Sequence, residues 1–249
     1  MRLSVVFILF LALTSCASMG NEEKQAAMLH QQIGTSHLMN GNYPLALTEL
    51  LIAEDLDPSN PSIQNNLGLA YFVRDRLELS EKHTRQALKL DPKFSDARNN
   101  LARILIERSK FPEAIKELQP VLDDLTYTSP EKPLTNMGVA YFKMGQFEKA
   151  KGYFAKAIDY KRDDCQAQNF YGRTLYEMKD FKRAQEALDR AVGFCMRGQF
   201  DEPHYYSALT LYQLGQKSRA VTRFEEVIKL YPHGNYVEKS KSMLETIKR

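Results

Sequence analysis

Apolar and small residues recur along this chain in paired blocks, each with the spacing of one helix face. The blocks keep a register. Gly34, Gly68, Ala102, Gly138, Gly172 and Ala208 stand 34, 34, 36, 34 and 36 residues apart, each at the same place in a two-helix pattern. A second small position, in the following helix, runs Ala46, Ser80, Ala114, Ala150, Ala184 and Ala220. A third runs Ala53, Ala87, Val121, Ala157, Ala191 and Val227. Small residues facing each other let two helices approach closely, which outweighs the roughly 1 kcal/mol that a glycine costs inside a helix.

The breaks fall between pairs. Asp57-Pro58, Asp91-Pro92 and Tyr231-Pro232 end helices, because the residue before proline is driven out of the helical region. Asp123–Pro130 is an irregular connector that holds the first two-residue insertion. No strand pattern competes. A helical period near 34 resembles the tetratricopeptide repeat, which implies an all-α solenoid of six repeats. The expected layout is a signal segment 1–15, a lipid-bearing Cys16 with tether over 16–26, repeats over 27–234 and a capping helix over 235–249. Val237, Leu244 and Ile247 give that last helix one apolar side, with Lys239, Lys241, Lys248 and Arg249 elsewhere.

The N-terminus points to a compartment. Met1-Arg2 precedes an apolar run, Leu3–Leu13, broken only by Ser4 and too short to span a bilayer. Leu13-Thr14-Ser15-Cys16 then resembles the bacterial lipobox, in which the cysteine thiol carries the lipid. The alternative is an ordinary secretory peptide with a chance cysteine. Acyl chains add about 0.8 kcal/mol per buried methylene, so several on Cys16 would anchor the chain durably. Ala17, in place of aspartate after the cysteine, resembles the rule for outer-membrane delivery, with the chain facing the periplasm. The residues to Gln25 read as a polar tether reaching about 30 Å if extended.

Cys165 opens the first helix of repeat five and Cys195 lies just past its second. The helices are antiparallel, so an oxidising periplasm predicts a Cys165–Cys195 disulfide, adding roughly 3 kcal/mol by loop closure. Two unpaired thiols are the alternative, given the geometry a bridge demands.

Charge and chemistry exclude more than they add. A formal charge of +3, with basic and acidic residues interspersed, gives no argument for nucleic acid. The five histidines form no metal-binding motif, and no phosphate-binding glycine loop or nucleophile elbow occurs. No enzyme activity and no cofactor are expected. A binding surface is expected instead, on the first helices of the repeats. The repeat register places Leu38, Met39, Asn65, Asn66, Leu69, Phe72, Asn99, Asn100, Arg103 and Asn136 on it. Asparagine offers donors and an acceptor together and suits the backbone of an extended peptide, with apolar neighbours taking its side chains. The competing reading has these asparagines bonding only neighbouring helices. Tyr205, Tyr206 and Tyr212 form an aromatic cluster expected to pack under the C-terminal helix.

Six such repeats behind a lipobox resemble the type IV pilus pilotins, the PilF/PilW/Tgl family. The more specific segments are Asn65-Asn-Leu-Gly-Leu-Ala-Tyr-Phe72, Phe94-Ser-Asp-Ala-Arg-Asn-Asn-Leu101 and Asp124-Leu-Thr-Tyr-Thr-Ser-Pro-Glu131. The cysteine pair looks most like the Tgl branch. The resemblance implies an outer-membrane lipoprotein that binds the pilus secretin and promotes its insertion and multimer assembly, using the groove of the early repeats. The chain departs from the family at His30 and His37, which stand where larger aromatics often sit. A general periplasmic adaptor lipoprotein serving outer-membrane or cell-wall assembly is the alternative.

Overall fold

The computed structural model describes residues 2–195 and 200–248, and the side chains of 20–195 and 200–247. Cys16 and the expected signal segment 1–15 lie outside the residues described with side chains. Every regular element among the described residues is a helix. The chain divides into two compact units, Met1–Lys110 and Phe111–Arg249, so the division falls in the turn of the third repeat.

The first unit holds α1 (Arg2–Met39), α2 (Tyr43–Leu56), α3 (Pro61–Phe72), α4 (Leu77–Leu90) and α5 (Ser95–Glu107). Residues 20–26 belong to α1 rather than to an extended tether. Glu22, Glu23, Lys24, Gln25 and Ala26 are strong helix formers in continuity with the first repeat, and propagating a helix costs less than starting one. α2 and α4 stop at Leu56 and Leu90, one residue short of each Asp-Pro step. Asn60 caps α3, its side-chain oxygen accepting from the Ser62 amide at 2.9 Å, with Pro61 at the first helical position.

Packing follows the small positions. Ser80 of α4 donates its hydroxyl to the Gly68 carbonyl at 2.7 Å, and a methyl at Gly68 would collide with the Thr84 hydroxyl. Ala27, Leu50, Ala53, Ile63, Leu67 and Ala70 form the core between α1, α2 and α3.

The second unit holds α6 (Phe111–Leu122), α7 (Glu131–Lys143), α8 (Phe147–Tyr160), α9 (Cys165–Glu177), α10 (Phe181–Cys195), α11 (Glu202–Gln213), α12 (Lys217–Leu230) and α13 (Val237–Lys248). Asp164 caps α9, accepting from the Ala167 amide at 2.9 Å. Cys165 and Cys195 are joined in a disulfide with their Cα atoms 5.1 Å apart. It ties the first residue of α9 to the last of α10. Ala208, Leu211, Ala220, Phe224 and Leu244 form the terminal core, with Tyr205, Tyr212 and Ile247 against it. Tyr205 and Tyr212 thus pack with α13, whereas Tyr206 packs against Leu175 and Leu188 of the preceding pair.

All six turns within repeats close alike. The residues after α1, α3, α5, α7, α9 and α11 include one in the left-handed region: Gly41, Asp75, Ser109, Gly145, Lys179 and Gly215. The next amide reaches back to the helix, as in Arg76 N to Tyr71 O at 2.9 Å and Gln146 N to Tyr141 O at 2.9 Å. This is the Schellman closure, which satisfies carbonyls otherwise orphaned at a helix end.

Candidate binding surfaces

In the first unit, α1, α3 and α5 carry the residues expected to bind. Their polar side chains form a ladder. Asn66 of α3 donates to the Thr35 hydroxyl of α1 at 2.9 Å, and Asn100 of α5 donates to the Asn65 carbonyl oxygen at 2.9 Å. Asn65 and Asn99 are buried, while Asn66 and Asn100 are half-buried. One amide hydrogen each of Asn66 and Asn100 therefore bonds a neighbouring helix. The second amide hydrogen and the carbonyl of these half-buried side chains are the groups that could meet a peptide.

Apolar positions flank the ladder. The guanidinium of Arg103 lies over the Phe72 ring, 4.1 Å from its centroid, so this ring is roofed by a cation. Leu69 is half-buried. Leu38 is half-buried and packs against the core that holds Leu50 and Ile63. Met39 is 85% exposed. Met28, Gln31, Gln32, Thr35, Ser36 and Met39 line an open depression of about 460 Å³ along α1. These positions recur at three- and four-residue steps and form one stripe. The stripe is uncharged, with a thioether at each end and amides and hydroxyls between.

Asn136 lies in the second unit, buried on α7. The larger polar construction of that unit centres on Glu202. Its carboxylate pairs with the Arg173 guanidinium at 3.0 Å and accepts from the Asn169 amide at 2.7 Å and from the Tyr236 hydroxyl. Arg173 also lies 4.8 Å from the Phe142 ring, 4.8 Å from Phe170 and 4.6 Å from Tyr206. Burial, and then the hydrogen bond it donates to the Glu202 carboxylate, hold the Tyr236 phenol far above its ordinary range. Neither Glu202 nor Tyr236 was singled out from the sequence. A signal existed. Asn169, Glu202 and Tyr236 are spaced 33 and 34 residues apart, close to one repeat each.

Two histidines are buried. His83 of α4 stacks on Tyr71, with Nδ1 2.9 Å from the Gln64 side-chain oxygen. Burial lowers its pKa, and Glu54 opposes this. His204 of α11 lies against Tyr231, with its pKa lowered by burial and by Arg223, opposed by Glu226 and Asp201. Among the described residues, no three histidine, cysteine or carboxylate side chains are placed to hold a metal ion. No helix among them is long and apolar enough to cross a membrane.

Comparison with known proteins agrees with this fold. Residues 36–73 match the family described as TPR repeat, and residues 83–116, 132–164 and 204–234 match families described as Tetratricopeptide repeat. The chain is 25% identical over 175 residues to the STIP1 homolog protein of Dictyostelium discoideum, matching 68% of this chain and 29% of that one. It is 30% identical over 97 residues to a protein O-mannosyl-transferase of Caenorhabditis elegans, matching 39% of this chain and 14% of that protein. The chain thus spans under a third of the length of either relative.

Among solved structures, it resembles pilF of Pseudomonas aeruginosa with a TM-score of 0.73 at 21% identity, covering 89% of this chain and 99% of that one. It resembles PilW, described as a widely conserved type IV pilus biogenesis factor, with a TM-score of 0.77 at 18% identity, covering 90% and 99%. The Cut9–Hcn1 assembly of the APC/C gives a TM-score of 0.80 at 16% identity, covering 92% of this chain and 44% of that one. At these identities the likeness is one of fold.

Proposed function

We propose that this chain of tetratricopeptide repeats is an outer-membrane lipoprotein that binds the type IV pilus secretin and promotes its insertion and assembly into a multimer. One observation carries the reading. The likeness to pilF and PilW takes in 99% of each of those chains, so it extends over their whole run of helix pairs rather than one shared repeat.

The lipid on Cys16 holds the protein at the membrane, facing the periplasm. The first unit offers a surface suited to an extended, uncharged segment. Met28 and Met39 accept apolar side chains, and Asn66 and Asn100 bond its backbone. The protein acts by binding, without turnover. Tethering at the membrane raises the local concentration of secretin subunits, which favours assembly without any catalytic step.

The test is the amount of heat-resistant secretin multimer in outer membranes with and without this gene. Loss of multimer with monomer retained is the expected result; unchanged multimer refutes the assignment. A Cys16→Ala protein separates the parts, since undiminished assembly by it refutes anchoring as the mechanism.

A further inference from the structure

The two ends of the helical array are finished differently. At the C-terminal end, α13 lays Val237 and Leu244 over the last repeat, and both are buried there. At the N-terminal end, the first pair keeps an apolar side exposed. Leu29 and Ile33 of α1 are 56% and 37% exposed, and Leu45 and Ile52 of α2 are 54% and 37% exposed.

The four residues share one side of the pair. Residues two apart on a helix point in nearly opposite directions, about 200° around its axis. On α1, Thr35 bonds Asn66 of α3, so Ile33 points away from α3. On α2, Glu54 accepts from Gln64 of α3 at 2.9 Å, so Ile52 points away as well. The contact between His30 Nδ1 and the Glu49 carboxylate, 2.7 Å apart, crosses from α1 to α2 on this side and joins the two apolar stripes. A terminal repeat of a soluble solenoid needs a polar outer side; here four aliphatic side chains are exposed on it, with Thr48 and Asp55 of α2 exposed beside them.

We infer that this end face seats in the acyl–headgroup boundary of the bilayer that holds the Cys16 lipid. The inference rests on the lipid anchor proposed above. Two further observations select lipid as the occupant. Leu29 lies thirteen residues after Cys16, about 20 Å along a helix and no more than about 45 Å along an extended chain. The exposed residues are also aliphatic. They lack the tryptophan, tyrosine or arginine anchors that dominate protein–protein contacts. Apolar side chains on a helix surface enter the boundary to a depth of about 5–10 Å. Docking by this face gives the anchored protein a fixed orientation instead of a swivel on its lipid.

The chain contains no tryptophan, so a single introduced indole reports its own surroundings. Leu29→Trp, Ile52→Trp and, as a control on α4, Leu79→Trp are made in the lipidated protein. Each is reconstituted in phosphatidylethanolamine–phosphatidylglycerol vesicles with brominated acyl chains. Flotation with the vesicles checks the anchor. The expected result is a blue shift and at least twofold quenching for Leu29→Trp and Ile52→Trp, with Leu79→Trp unchanged. Flotation without quenching overturns the inference and leaves the anchor standing. A blue shift without quenching, accompanied by dimerisation, also overturns it and assigns the face to a second copy. Failure to float overturns the anchor and this inference together.

Discussion

Arg173 and Glu202 meet at 3.0 Å on successive repeats, the guanidinium enclosed by three aromatic rings and the carboxylate by the Asn169 amide and the Tyr236 hydroxyl. Both side chains are mostly buried. Removing one member of such a pair strands the other charge, at a cost of about 3 kcal/mol. Glu202→Gln and Arg173→Met should each destabilise by that order, and the double variant by much less than the sum. Urea unfolding of the three proteins measures the coupling; additive losses would show that the two charges act independently.

A methyl group at Gly138 would lie 2.5 Å from the Phe154 ring, which is fully buried and stacked on Phe170. That ring has no open side to move into. Gly138→Ala should cost about 1–3 kcal/mol as overpacking. Combining it with Phe154→Leu should return part of the loss, as read from thermal unfolding.

Acid should weaken the first unit at two points. His83 has a folded pKa below its unfolded value, so its contribution is complete above about pH 6.5 and is lost as pH falls through the folded value. Glu81 is also depressed. Burial opposes this, but the Arg85 hydrogen bond and charge, with Lys110 and Arg108, outweigh it. Its contribution is present above about pH 4.5 and lost below. Stability should therefore fall in two steps between pH 7.5 and 3. His83→Gln should flatten the upper step only, which a series of melting curves against pH would reveal.

The disulfide closes a loop of thirty residues and binds both ends of one helix pair. Its reduction should cost about 3 kcal/mol by the chain-entropy account. The paired Cys165→Ala, Cys195→Ala protein should match the reduced wild type in denaturation, and reductant should leave it unaffected.

Much of this architecture is legible in the sequence because it rests on small residues at a fixed register. Gly68, Gly138 and Gly172 are each placed against a side chain of the repeat's second helix that leaves no room for a methyl. The helix ends at Leu56, Leu90 and Leu230 follow from the proline steps. The binding face is less legible, because register assigns a side of a helix and not the bond a side chain makes there. Asn65, Asn66 and Asn100 occupy first helices as expected, yet they hold those helices together. Leu38 is one residue from Met39, yet it packs against the core while Met39 is exposed, since neighbours in a helix differ by 100°. The Glu202 cluster draws on α9, α11 and the segment before α13, and no local pattern announces it.

The uniform closure of the turns within repeats bears on where this chain can tolerate changes in length. Six bonds of one type, each 2.8–2.9 Å, fix the passage from first to second helix, from Asn42 N to His37 O through to Gln216 N to Leu211 O. An extra residue there would break the closure and expose a helix end. The passages between repeats at 57–60, 91–94, 161–164 and 231–234 also share a closing bond, as in Asn60 N to Asp57 O and Gly234 N to Tyr231 O, whereas the connector after α6 is irregular and leaves Leu125 exposed. Inserted epitopes, labelling sites or the new termini of a circular permutant belong at that connector, where a loop tip absorbs them. Insertions at residues 73–76 or 143–146 would instead uncouple the helices they join.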